Sequence, residues 1–192
     1  MRFCHDGIED LRTDILDDMT SGEYDSIGNF PALSEDTFLE ILMRVTEHNA
    51  DEDLADILIS QSRDTMRWMR KHKIRFIPMF ACQPGEYNPS ILDGVATKGL
   101  EVPKSNWALP IDTGPFHGYV VTCGITFTFG GLKINNDAQV LDLVDKPIPG
   151  LYAAGELVGG QFYQNYPGGT GLLNGSVFGR LAGKNTGLCQ TT

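Results

Sequence analysis

The sequence predicts an α/β fold, taken here in an α+β arrangement. A helical N-terminal half packs on a small mixed sheet, and a glycine-rich loop and a last helix follow. Two observations carry this. Residues 1–90 hold 18 acidic and 9 basic side chains and only 4 glycines, whereas residues 91–192 hold 18 of the 22 glycines and are close to neutral. Apolar residues recur at helical spacing in the first half, and in the second they form short runs broken by turn residues.

Taking the elements in order, Pro31 and Ser34 stand before Glu35-Asp36, a helix start with acids at the positive end of the dipole. Phe38, Leu39, Leu42, Met43 and Val45 supply its apolar face. Asn49 and Asp51 start a second helix that turns Leu54, Ile57, Leu58, Met66, Trp68 and Met69 inward. Arg67, Arg70, Lys71 and Lys73 lie at its C-terminal end, where cations suit the dipole. They read as a solvated helix end rather than an anion site. Ile74-Arg75-Phe76-Ile77 before Pro78 reads as a short strand. Residues 82–115, with Pro84, Pro89, Pro103 and Pro110, read as an irregular connection.

The second half is expected to form the sheet over residues 118–154. Val120-Val121-Thr122 and Thr126-Phe127-Thr128-Phe129 are strand-like, and Gly130-Gly131 breaks the second run. Leu132-Lys133-Ile134, Asn135-Asn136-Asp137 and Ala138-Gln139-Val140-Leu141 read as a β-hairpin. Leu151-Tyr152-Ala153-Ala154 suits a buried strand that Gly155-Glu156 ends. After the glycine-rich loop, Leu172, Leu173, Val177, Phe178, Leu181 and Ala182 mark the last helix. Gly175, Gly179 and Gly183 lie four apart on one face, where they allow close backbone approach.

Charge and composition exclude several function classes. A net charge of −10 and no basic stripe argue against nucleic acid and against anionic lipid. The glycine-rich stretch 146–180 is too polar and too broken to span a membrane. Cys4, Cys82, Cys123 and Cys189 are widely spaced, with no CxxC and no metal-ligand cluster. With an N-terminus that lacks an apolar signal region, this suits free thiols in a reducing, cytoplasmic setting.

The chemistry concentrates in Ala153-Ala154-Gly155-Glu156, the loop to Tyr166-Pro167-Gly168-Gly169-Thr170-Gly171, and the helix behind it. A strand ending in Gly-Glu places a carboxylate where α/β ligands bind, ready to accept hydrogen bonds from sugar or ribityl hydroxyls. The glycine loop offers backbone N–H groups at a helix N-terminus. On residues alone, two readings stand: a site for a polyhydroxylated, partly anionic cofactor, or a glycine-rich turn with no ligand.

Ile148-Pro149-Gly150-Leu151-Tyr152-Ala153-Ala154-Gly155-Glu156, with Gly159-Gly160 and Phe178-Gly179-Arg180-Leu181-Ala182-Gly183, resembles the C-terminal flavin-binding segment of the fumarate reductase/succinate dehydrogenase flavoprotein superfamily. Thr122-Cys123-Gly124-Ile125-Thr126-Phe127-Thr128-Phe129-Gly130-Gly131 and Asn165-Tyr166-Pro167-Gly168-Gly169 are most similar to its tricarballylate dehydrogenase branch. The segments that begin Arg2-Phe3-Cys4-His5-Asp6-Gly7 and Ser62-Arg63-Asp64-Thr65 resemble that branch too.

The resemblance implies FAD and a small-molecule substrate, with hydride passing between flavin N5 and an activated C–C bond. It implies that Glu156, after Gly155, holds ribityl or ribose hydroxyls. The backbone of Gly171, Leu172 and Leu173, at the last helix's N-terminus, would face the pyrimidine edge of the ring, with Gly169 in the preceding loop also at the cofactor. Gly130 and Gly131 would let the preceding strand approach it. Where fumarate reductases have a histidine pair, this chain has Thr126-Phe127, and where they have a substrate-clamping arginine it has Tyr166. Both changes remove a cation, so these positions do not support a dicarboxylate. Tyr166 is the catalytic or substrate-contacting candidate, weighed against an ordinary packed tyrosine, with Thr126 and Phe127 beside it. His117 reads as a surface residue, and Tyr119, Gln161 and Tyr163 are weaker pocket candidates.

No Gly-x-Gly-x-x-Gly follows a strand, and that fingerprint seats the ADP half of FAD. The family's nucleotide-binding unit and much of its cap domain are therefore expected to be missing. On this reading residues 1–83 are a helical segment from the FAD and cap region, 84–115 an irregular connection, and 116–192 the C-terminal part of the FAD-binding domain. Three functions follow. The chain is an FAD-dependent oxidoreductase with an incomplete stand-alone site, or a non-catalytic chain needing a second polypeptide or homo-oligomer over the missing surface. The third is a small binding protein that has lost flavin.

Overall fold

The computed structural model describes residues 3–16, 32–76, 94–101, 108, 112–125 and 127–189. Helix α1 spans Ile8–Asp14, α2 Glu35–Val45, α3 Glu52–Ser60 and α4 Ser62–Lys71. Strand β1 spans Gln139–Leu141, β2 Pro147–Tyr152, and helix α5 Thr170–Cys189. Residues 1–76 and 125–192 form one compact unit and residues 77–124 another. In the second unit the described residues are extended or turned, and Ala108 N donates to Val95 O at 3.0 Å.

Both helix starts read from the sequence are capped as the chemistry requires. Ser34 Oγ accepts from Thr37 N at 3.2 Å, and Asp51 Oδ1 accepts from Leu54 N at 3.1 Å. Each meets an N–H that the first helical turn leaves without an internal partner. Between them the chain reverses through Glu47 and His48, both in the left-handed region at φ 52° and 57°. The single second helix expected after Asp51 is two, because the chain turns at Gln61 between α3 and α4. Helix α1 has no counterpart in the sequence reading. Its apolar signal is short, and Leu11, Ile15 and Leu16 are buried against Met66 from α4.

The sheet departs from the expected small mixed one. Among the described residues it has two strands, β1 and β2, antiparallel and paired Gln139 with Tyr152 and Leu141 with Pro147. The hairpin before it forms as read: Ile134 bridges Val140, and Asn135 N donates to Gln139 O at 3.0 Å. An isolated parallel bridge joins Leu132 to Val158. The described parts of 118–129 are in no ladder, and Ile74–Phe76 form no strand, Ile77 and Pro78 lying outside the described residues. Strand β2 is not buried as expected: its residues are exposed up to Tyr152, and burial begins at Ala153. An apolar run is buried on both faces only where layers cover both, and β2 has a single partner strand among the described residues.

Helices α3 and α4 pack on α5, and α5 in turn packs on β2. The first-half helices thus meet the sheet through a shared core rather than lying directly on it. Phe38, Leu42, Leu54 and Leu58 join Ile134, Val140, Val158, Leu173, Val177 and Phe178 in one buried cluster. The glycines of α5 behave partly as read. Gly175 lies against Gly155, where an added Cβ would come within 3.6 Å of its Cα, and Gly179 faces Ala154, but nothing approaches Gly183.

In the basic run at the end of α4, Lys71 and Lys73 are exposed as read, while Arg67 is paired, as is Arg63 upstream of the run. Arg63 bonds Asp6 at 3.0 Å and Asp14 at 2.8 Å and also reaches Asp10, while Arg67 bonds Asp14 and Asp64. These bonds fasten α1 to α4. They hold the Asp14 carboxyl below its ordinary range, chiefly through Arg67 and then Arg63. Beside them His5 is buried, its Nδ1 accepting from Gly7 N at 3.3 Å. Desolvation lowers its pKa from the usual 6.5, opposed by Asp10 and Asp6 and aided by Arg63.

Both shifts act on stability in the same sense. A lowered histidine contributes fully above its unfolded value and loses that contribution as pH falls from there through its folded value. Lowered Asp14 does the same at lower pH, beginning near 3.8. The urea midpoint is therefore expected to fall as pH drops below about 6.5, and again as it drops below about 3.8. His5→Gln should remove the first fall and leave the second.

Candidate functional site

The site is built where β2 runs out. Gly155 follows Ala154 at φ +84°, and its carbonyl accepts from Val158 N at 3.0 Å. A side chain at that φ is strained, so the turn calls for glycine. The turn presents Glu156, whose Oε1 accepts from Thr128 N at 2.9 Å and Thr128 Oγ1 at 3.2 Å. One carboxylate oxygen thereby ties the extended segment 127–129 to the end of β2.

Phe127 lies over the start of α5, where a Cβ at Gly171 would come within 3.0 Å of its ring. Helix α5 opens at Thr170, which is buried with its Oγ1 donating to Pro167 O at 2.6 Å, and the preceding Gly169 is left-handed at φ +84°. Tyr166 stacks on Phe127 with ring centroids 4.6 Å apart and planes at 22°. Phe162 and Phe129 stand 5.7 and 6.2 Å from the Tyr166 ring.

These pieces enclose a cleft of about 640 Å³ lined by Phe127, Gly155, Glu156, Tyr166, Gly169, Gly171, Leu172, Gly175 and Ser176. That volume lies within the range of small-molecule sites. Among the described residues Glu156 is the one carboxylate of the lining, and no arginine, lysine or histidine joins it.

Seven residues singled out from the sequence therefore line one cleft: Gly155, Glu156, Gly169, Gly171, Leu172, Phe127 and Tyr166. The Leu173 side chain is fully buried in the core, and its backbone lies in the first turn of α5. Gly130 is exposed and Gly131 packs on 157–159, and neither lines the cleft. Thr126 lies outside the described residues. Tyr163 is exposed, and His117 and Tyr119 are exposed in the 77–124 unit, their rings stacked on each other at 6.5 Å.

Gly175 was legible as a close-approach glycine but not as cleft lining. Ser176, whose Oγ donates to Leu172 O at 2.8 Å, carried no signal. Gln161 is 1% exposed, and both its side-chain polar atoms lack a hydrogen-bond partner among the described residues, as does Asn174 Oδ1 on α5. Each such atom costs about 1–3 kcal/mol unless a further group meets it. Among the described residues no cluster of three His, Cys, Asp or Glu could hold a metal, and no helix is long and apolar enough to cross a membrane.

The residues suit the ring and ribityl end of a flavin. Glycines without Cβ leave room for a flat ring, a carboxylate accepts from hydroxyls, and a helix N-terminus favours negative charge. The fold and cleft thus have the shape and chemistry of a small-molecule site that a flavin ring would fit.

Residues 87–173 match the family model described as an FAD binding domain. A probable fumarate reductase of Shewanella frigidimarina is 36% identical over 122 residues, covering 64% of this chain and 20% of that protein. The NADH:fumarate oxidoreductase of Klebsiella pneumoniae is 46% identical over 74 residues, 38% of this chain and 8% of its own length. The urocanate reductase of Eggerthella lenta is 46% identical over 76 residues, 40% and 12%. A solved open conformation of a flavocytochrome c3 fumarate reductase is 52% identical over 31% of this chain and 11% of its own, with a TM-score of 0.30. The chain spans a fifth or less of the length of these curated relatives. By the family match and the curated relatives, this chain is similar to an FAD binding domain and to reductases of the fumarate reductase kind.

Proposed function

We propose that this chain supplies the flavin-ring side of an FAD-dependent oxidoreductase that acts on an activated C–C bond. The observation that carries the reading is the cleft between Glu156 and the start of α5, which gathers seven residues picked from the sequence. Bound FAD would supply two-electron, hydride-transfer chemistry. Glu156 would accept from the ribityl or ribose hydroxyls of a bound flavin, its Oε1 held by Thr128. The N-terminus of α5 at Gly171 and Leu172 would face the pyrimidine edge of a bound flavin, where its dipole would favour negative charge. Phe127 and Tyr166 close the wall beside it and exclude water, and Tyr166 is the candidate substrate contact. Of the superfamily's branches, the loop sequence around Tyr166 favours the tricarballylate dehydrogenases.

A second reading has its own observation. The sequence contains no Gly-x-Gly-x-x-Gly to seat the pyrophosphate. On this reading the chain is a shortened, non-catalytic homologue, or one that needs another polypeptide, a second copy included, for the nucleotide-binding half.

The test is the visible spectrum of the purified chain after incubation with excess FAD and gel filtration. A retained flavin band is the expected result and means that the half-site suffices. Loss of the band overturns the stand-alone enzyme and favours the second reading.

A further inference from the structure

We propose that Thr128 is a positioning residue, which sets the Glu156 carboxylate for a ligand's hydroxyls from the same short segment that sets the aromatic wall. The inference deepens the reading of the cleft as a flavin site and rests on it. Phe127 and Phe129 both meet the Tyr166 ring, at 4.6 and 6.2 Å, whereas Thr128 between them meets Glu156. That is the alternation of an extended chain, whose successive side chains point to opposite sides. Thr128 is not part of the cleft lining, so what it does for a ligand it does through Glu156.

Glu156 is exposed and has a long, flexible side chain, which loses rotamer freedom when a ligand fixes it. Thr128 removes much of that freedom beforehand. Its N and Oγ1 both donate to Oε1, at 2.9 and 3.2 Å. With Oε1 held, Oε2 is the oxygen that a ligand hydroxyl meets. One residue back, Phe127 lines the same cleft and lies against Gly171 at the start of α5. One stretch of backbone thereby fixes the carboxylate relative to the wall. The pair suits a ligand that carries hydroxyls and a flat ring on one skeleton.

The experiment is a fluorescence titration of the full chain with two probes. Riboflavin carries the ring and the ribityl hydroxyls, and lumiflavin carries the ring with a methyl group in place of the ribityl chain. Thr128→Val keeps the backbone N–H and the side-chain shape but removes the Oγ1 donor, and Thr128→Ser keeps the donor. Riboflavin binding is expected to weaken about fivefold in Thr128→Val, the effect of giving one flexible side chain its freedom back. Lumiflavin binding should be unchanged, and Thr128→Ser should hold riboflavin as wild type does. Equal losses for both probes in Thr128→Val would mark a merely structural residue and overturn the inference. So would riboflavin affinity that Thr128→Val leaves unchanged, or a Thr128→Ser protein as weak as Thr128→Val. Those results leave the flavin reading standing, whereas a wild-type protein that binds neither probe overturns that reading and the inference with it.

Discussion

Gly131→Ala should lower stability by about 3 kcal/mol or more, whereas Gly130→Ala beside it should change stability by no more than about 1 kcal/mol. A Cβ at Gly131 would fall 2.1 Å from Leu157 O and 2.8 Å from Gly159 N. Both atoms are backbone, so no side chain can swing aside. The only relief is to part the two segments. That breaks the bonds from Leu132 N to Leu157 O at 2.8 Å and from Gly159 N to Leu132 O at 3.1 Å. Each is worth about 1 kcal/mol, and overpacking adds about 1–3 more. Gly130 has nothing within 4 Å of its Cβ position and no left-handed φ. Urea unfolding of the two variants checks the contrast. Equal stabilities would mean that 131 and 157–159 do not meet.

The second large effect concerns ligand binding. Glu156→Ala should weaken FAD binding about 10- to 100-fold, the range for losing hydrogen bonds to a charged acceptor. Part of any loss could arise because Glu156 also holds Thr128. Glu156→Gln separates the two roles. Its amide oxygen still accepts from Thr128 N, so the fold of the turn is kept, but the bonds to ligand hydroxyls lose their charge and about half their strength. A loss of about tenfold or less is expected there, with the urea midpoint unchanged. A purely structural role for Glu156 would instead leave Glu156→Gln with full affinity.

The parts of this molecule legible in the sequence are those whose causes are local. Ser34 and Asp51 cap helices because the groups they satisfy lie three residues on. The hairpin through Asn135 forms because its turn and flanking apolar residues are adjacent, and the cleft is legible because a glycine turn, a carboxylate and a helix start follow one another within 155–172. What escaped the reading depends on distant partners. Helix α1 is held by Arg63 and Met66, about 50 residues further along. Gly131 looked like a ring-approach glycine until the chain returned at 157–159. The apolar run in β2 suggested burial, and what decides burial is the number of layers, which periodicity does not encode.

The most direct test of the cleft as a flavin site is a fluorescence titration of FAD with wild type, Glu156→Ala and Gly130→Ala side by side. Wild type and Gly130→Ala should quench the flavin saturably with the same Kd, and Glu156→Ala should need at least ten times more protein. No saturable quenching by wild type, or a Glu156→Ala curve that overlies it, would contradict the assignment.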